Sequence, residues 1–304
     1  MNEAINLLIL ALSGLVLLAC ELWGYRRWVQ PHAAQINLHG KLMLLLVILT
    51  LMGGFIGPFG WWFDVPGSFA WDLPPLASRM LASAGWSFAL TAFLALQRPS
   101  RRRMRLILLM LAVYLLPLLL ALLLFHLDRM NFSEPITYPF LLVVLLLTAG
   151  ALWFLIRQPA VLPDDPLDLE PSSGLARAWL WLVAVLSGLW GLALFVTDNG
   201  PIPGVWAWAG DLLTSRLIAV MLLTLAAAAL FSQNYRDTAR ITLRAALLYS
   251  LGLAIASAWN RLAGLPVKTP YLLVFGLVFL GSLATWLLTT SQPRQAGAEA
   301  TKGG

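Results

Sequence analysis

Val65–Arg79 reads V-P-G-S-F-A-W-D-L-P-P-L-A-S-R and runs into an apolar stretch that ends at Gln97. Ile202–Arg216 reads I-P-G-V-W-A-W-A-G-D-L-L-T-S-R and runs into a second one, ending at Gln233. Pro66 and Pro203, Gly67 and Gly204, Trp71 and Trp208, Ser78 and Ser215, and Arg79 and Arg216 all stand 137 residues apart. Apolar sequence aligns with itself by chance, so the weight lies on these polar and helix-breaking positions. They mark a duplicated chain.

Composition sets what is duplicated. The chain is 60% hydrophobic and 11% charged, with a mean hydropathy of +0.81, where a soluble domain carries roughly 25% charged residues. Its apolar residues come in unbroken runs of about 20, the length of helix that crosses about 30 Å of hydrocarbon. The ten-residue alternation of a membrane barrel is absent. Nine spans are expected: Ala4–Trp23, Lys41–Trp62, Leu76–Gln97, Arg105–Leu127, Tyr138–Ile156, Leu175–Val196, Leu212–Ser232, Ile241–Trp259 and Tyr271–Thr290. The eighth is short and among the least apolar, so a count of eight is the alternative. Cys20 is the only cysteine, which excludes an intrachain disulfide and a thiol metal site.

The later part of each copy carries its own landmarks. Pro135–Val143 (P-I-T-Y-P-F-L-L-V) matches Pro266–Val274 (P-V-K-T-P-Y-L-L-V), Gly150 matches Gly281, and Asp128-Arg129 matches Asn260-Arg261. An even number of spans per copy leaves both copies pointing the same way, the arrangement of parallel repeats about an axis along the membrane normal. The expected fold is an all-α integral membrane protein. It has an N-terminal helix and loop (1–41), a first four-helix repeat (42–159), a linker (160–179), a second four-helix repeat (180–293) and a disordered tail (294–304), with a pseudo-twofold relating the repeats. The layout resembles duplicated multi-span proteins of the bacterial inner membrane.

Fifteen of the 20 Lys and Arg residues fall on one set of alternate loops. The other set has Arg79, Arg129, Arg216, Arg261 and Lys268. The positive-inside rule puts the N-terminus outside and the C-terminus in the cytoplasm. The cluster Arg98–Arg105 reads as a topology anchor on anionic lipid, and the basic balance therefore does not point to nucleic acid. The acidic, proline-rich stretch Val161–Pro171 is the linker between the copies.

Four of the five outer basic residues form repeat-matched pairs, Arg79/Arg216 and Arg129/Arg261. Converging on the pseudo-twofold, they would suit a carboxylate, a phosphate or a lipid headgroup, because guanidinium binds such groups in bidentate fashion. Snorkelling to the headgroups, or pairing with Asp64, Asp72, Asp128, Asp198 or Asp211, would explain them equally. Asp72 and Asp211 also stand where helix N-caps are expected. Broken, Trp-rich segments at matching places in two halves point to a membrane substrate site. Trp71 and Trp208 are accordingly candidate ligand residues, and the remaining tryptophans form the aromatic belt. His126 faces Ala258 in the alignment, and Glu21 reads as an interfacial ion pair with Arg26.

No residue pattern marks a catalytic group, a metal site or a cofactor, and no acid lies at the centre of a span. Two functions are expected from this. The first is binding or transport of an anionic or amphipathic small molecule or lipid at an outward-facing site between the repeats. The second is a non-catalytic membrane subunit or scaffold with a membrane-protein partner. A polar cavity between the repeats would favour the first, and continuous apolar packing the second.

Overall fold

The computed structural model describes residues 3–159, 161–164, 166–202, 204–265, 267 and 269–290. The expected disordered tail lies outside these residues, as do Asp165, Pro203, Pro266 and Lys268. Every regular element among them is helical: α1 (Glu3–Gly24), α2 (Leu38–Trp62), α3 (Pro75–Gln97), α4 (Arg101–Phe125), α5 (Thr137–Arg157), α6 (Gly174–Val196), α7 (Leu212–Ser232), α8 (Arg236–Leu262) and α9 (Thr269–Thr290). Eight of these, α2 to α9, are long and apolar enough to cross a membrane. α1 adds a further 22 helical residues.

Local chemistry sets the ends. The Asn37 Oδ1 accepts from the Gly40 amide at 2.9 Å to start α2, and the Ser173 Oγ accepts from the Ala176 amide at 3.2 Å to start α6. Pro75 opens α3, where its missing N–H is one of the unpaired first-turn groups in any case. Asp211 caps α7, its carboxylate accepting from the Thr214 amide at 3.2 Å and the Thr214 hydroxyl at 2.6 Å. Asp72 departs from the expected cap. It is exposed, and Pro74 occupies the cap position of α3. The eighth helix is not short but the longest, at 27 residues. Its polar first turns lie beyond the apolar core of the span, and charge shortens a hydrophobic run without breaking a helix.

Four helices make the interior. α2 packs on α3, α6 on α7, α4 on α5 and α8 on α9, while α3 also packs on α8 and α4 on α7. Over its most apolar stretch α7 is 78% buried, whereas α9 is 22% buried. α3, α4, α7 and α8 are therefore the centre, with α5, α6 and α9 presenting leucine faces outward. Glycine lets the helices close up. A Cβ on Gly54 would lie 2.8 Å from the Gly85 carbonyl oxygen, and one on Gly191 would lie 3.0 Å from that of Ala219. A Cβ on Gly252 of α8 would lie 2.4 Å from the Ser83 Oγ of α3.

At the end of the bundle bearing Arg98, the segment between α5 and α6 is a strap tied to the loops on both sides of it. Asp168, fully buried, pairs with Arg98. Asp164 accepts from the Arg102 amide at 2.9 Å, and Glu170 pairs with Arg236 at 3.1 Å. Asp237 holds Arg103 in a two-pronged pair at 2.7 and 2.6 Å. The basic cluster thus departs from a purely lipid-facing anchor. Arg98, Arg102 and Arg103 are engaged with carboxylates, and only Arg101 and Arg105 remain exposed.

Candidate functional site

Arg79 and Arg216 sit at the opposite end, each in the second turn of a central helix. Arg79 is 8% exposed. Its Nε donates to the carbonyl oxygen of Trp62, the last residue of α2, at 3.2 Å, and its Nη1 donates to the Asn260 Oδ1 of α8. Arg216 is half-buried. Its Nε donates to the carbonyl oxygen of Phe195, near the end of α6, at 3.2 Å, and its Nη1 meets the His126 Nε2 at 2.8 Å. Each guanidinium therefore satisfies an orphan carbonyl at the negative end of the preceding helix. Each also reaches across to the far end of a helix from the other half of the chain.

Aromatic rings cover both cations. The Trp259 ring lies 5.7 Å from the Arg79 guanidinium carbon, and Phe125 and Phe195 lie 5.0 and 5.7 Å from that of Arg216. Among the described residues neither arginine forms an ion pair with a carboxylate. Their partners are carbonyls, an amide and an imidazole, all neutral. The two serines before them differ: the Ser78 Oγ donates to the Trp61 carbonyl at 2.8 Å, while the Ser215 Oγ is buried without a partner.

The other matched pair behaves differently. Arg129 is 53% exposed and lies 3.9 Å from Asp211, and Arg261 is exposed on the last turn of α8. The structure thus separates the four arginines into two joints between helices, Arg79 and Arg216, and two exposed residues, Arg129 and Arg261. Trp71 and Trp208 are buried in the core, 6% and 8% exposed. Trp71 meets Phe140 edge-on at 5.7 Å, and Trp208 meets Tyr271 edge-on at 5.7 Å. Trp71 pins the segment before α3 onto the start of α5 and Trp208 pins the segment before α7 onto the start of α9, which leaves neither face open for a ligand to stack on.

His126 and Asn260 are the members that sequence reasoning did not assign to the site. Reading inward from them, buried hydroxyls follow the contacts between the central helices: Ser83, Ser87 and Thr91 on α3, Thr224 on α7, and Thr242, Ser250 and Ser257 on α8. Most donate to the carbonyl one turn back, which satisfies them inside the membrane. A cavity of about 30 Å³ interrupts the packing where Ser87, Met110, Met221, Thr224, Thr242 and Tyr249 meet. That is room for about one water molecule, and the Tyr249 hydroxyl is buried there without a partner. The centre is therefore closed, with a polar seam. Among the described residues no group of three His, Cys, Asp or Glu is placed to hold a metal.

Length, apolarity and packing of these helices define a multi-pass helical membrane protein. Comparison with protein-family models, with curated proteins and with solved structures finds no match for the chain.

Proposed function

We propose that the chain binds, and passes through the membrane, an anionic amphipath that engages Arg79 and Arg216, with Arg129 and Arg261 as the rim that first attracts it. The fold behind this reading has nine spans: α1, then two parallel four-helix units, α2–α5 and α6–α9, about a pseudo-twofold axis near the membrane normal. The crossed packing of α3 on α8 and α4 on α7 supports that symmetry, as do Gly54 and Gly191, which pack closely on the next helix from positions 137 residues apart. Trp71 and Trp208 act here by holding the broken segments in place.

The carrying observation is that both guanidiniums, one buried and one half-buried, hydrogen-bond to neutral acceptors alone. A carboxylate or phosphate is a better partner than an amide or an imidazole, being charged and bidentate. Such an anion would displace Asn260 and His126 and so loosen the ends of the α3–α8 and α4–α7 contacts, along which the hydroxyl seam runs. Anion binding and opening are in this way one event, since a ligand shifts an equilibrium only through contacts that differ between the two states.

The test measures retained phosphatidylglycerol and melting temperature on the same detergent-purified samples. Arg79→Gln with Arg216→Gln should lower retention about tenfold or more, the worth of a charged hydrogen-bonded contact. Asn260→Leu, which leaves an Arg79 donor open, should raise it. Retention unchanged in both variants, with a lower melting temperature, would instead favour a non-catalytic membrane subunit whose arginines serve only as joints. The internal use of two donors on each arginine is the observation on that side.

A further inference from the structure

α8 opens with arginines on three successive turns of one face, Arg236, Arg240 and Arg244, all half-buried. Like charges four residues apart on a helix are neighbours and repel. Arg236 is matched by Glu170 of the strap. Arg240 donates from Nη2 to the Thr289 carbonyl oxygen of α9 at 3.3 Å, and its Nε is buried without a partner. Arg244 forms no hydrogen bond or ion pair among the described residues, and its guanidinium carbon lies 5.7 Å from the centre of the Trp286 ring of α9. A guanidinium carries five N–H donors and no acceptor, so most donors of this pair are unused by the protein. The nearby acids are taken, Glu170 by Arg236 and Asp237 by Arg103. Glu21 does not form the expected pair with Arg26, which is exposed, and its buried Oε1 has no partner. It belongs to α1, however, which packs on α2 and not on α8. The charges of Arg240 and Arg244 are therefore uncompensated.

Contacts set the depth of the pair. The apolar run of α9 ends at Leu288, and 289–294 reads T-T-S-Q-P-R. The Thr289 carbonyl that holds Arg240 thus stands at the edge of the hydrocarbon. Asp237, one turn before Arg240, already belongs to the loop charges around Arg98. Arg244 starts one turn deeper, about 6 Å. Helical side chains lean toward the N-terminus of their helix, which for α8 is the Arg98 end, so its guanidinium reaches back toward that edge. Beyond Arg244 the same face continues at helical spacing as Leu248, Leu251 and Ile255, and the last two are 37% and 45% exposed. The order from the membrane edge inward is two unmatched cations, then an apolar strip open to the side. An anionic phospholipid has the matching order, phosphate and then acyl chain.

We infer that Arg240 and Arg244 form a headgroup site for a phospholipid with two phosphates, its acyl chains lying along Leu248, Leu251 and Ile255. Two phosphodiesters match two uncompensated guanidiniums charge for charge, and guanidinium binds phosphate in bidentate fashion. The site lies at the opposite end of the bundle from Arg79 and Arg216 and does not rest on their role. The full-length protein would be exchanged into detergent containing equal cardiolipin, phosphatidylglycerol and phosphatidylethanolamine, then examined by native mass spectrometry. Wild type should retain one cardiolipin. Arg244→Gln, which breaks no hydrogen bond within the protein, should cut that retention about tenfold and leave the melting temperature of lipid-free protein unchanged. Arg240→Gln with Arg244→Gln should cut it further. Arg101→Gln with Arg105→Gln, which removes the same charge from exposed positions at the same end, should leave it unchanged. Arg79→Gln with Arg216→Gln should also leave cardiolipin unchanged, which separates the two sites. No loss in Arg244→Gln, equal loss in the α4 and α8 double variants, or phosphatidylglycerol retained in place of cardiolipin would overturn the inference.

Discussion

His126 and Asn260 do one job with different chemistry, and the difference is open to titration. A guanidinium has no acceptor, so His126 must offer Arg216 a lone pair at Nε2 and carry its proton on Nδ1. Burial, and then the charge of Arg216, hold this imidazole below its ordinary value of 6.5, with Asp128 pulling weakly the other way. A histidine depressed in the folded state contributes stability that is complete above the unfolded value and lost as pH falls through the folded one. Wild-type melting temperature should therefore drop between about pH 7 and pH 5. His126→Asn, which copies Asn260, should keep the acceptor and lose most of that slope. Parallel slopes in a melting series would show that His126 does not accept from Arg216. The sequence could not pair these two residues. Lettering aligned Asp128-Arg129 with Asn260-Arg261 and set His126 against Ala258. α4, however, stops at Phe125, whereas α8 continues to Leu262. The equivalent positions in space therefore slide against the equivalent positions in sequence. Arg79 and Arg216 were legible because each follows a serine at the same offset behind matching Pro-Gly and Trp positions. Their partners were not, because each lies across the interface from the other half.

Helix boundaries were largely legible, since the length of an apolar run is the same physical quantity in the sequence and in the fold. The strap between α5 and α6 was legible in composition and not in role. Its acids, and the basic loop at Arg98–Arg103, were both visible, but nothing local says that Asp168 meets Arg98 or that Asp237 meets Arg103 from 134 residues away. Tertiary closure brings these charges together, and proline stiffens the segment that crosses them. Asp237 is the hinge of this network, with two bonds to Arg103 and a 4.0 Å approach to Arg98. Asp237→Asn should cost about 1–2 kcal/mol, more than an exposed pair because both partners are mostly buried. It should also loosen the strap locally. The measurement is cleavage by an acid-specific protease at Glu170, expected to quicken about tenfold while α7 and α8 stay protected. An unchanged rate would mean that the bridges from Ser100 to Leu162 and from Pro171 to Tyr235 hold the strap without the ions.

The two ends of the molecule differ in kind, and that difference bears on which way it faces. At one end four arginines, Arg98, Arg102, Arg103 and Arg236, are matched to a buried or half-buried acid. At the other, two arginines are held by neutral groups and two stand exposed. Neutralisation at the Arg98 end does not weaken the topology argument, because orientation is decided as helices insert. Lys and Arg count then, while Asp and Glu contribute little. Asp164 and Asp168 of the strap reach Arg102 and Arg98, and Asp237 of α8 reaches Arg103, only once these later segments have been made. The Arg98 end should therefore be cytoplasmic, with Arg79 and Arg216 outside, and the anion would first be met from outside. Single cysteines in a Cys20→Ser background test this. Ser133→Cys, exposed in the turn between α4 and α5, should react with an impermeant thiol reagent added to intact spheroplasts. Gln158→Cys, exposed at the far end of α5, should react only after the membrane is permeabilised. The reverse pattern would put the arginine joints in the cytoplasm. The proposed ligand would then be met from within, making the protein an exporter or a flippase of that anion.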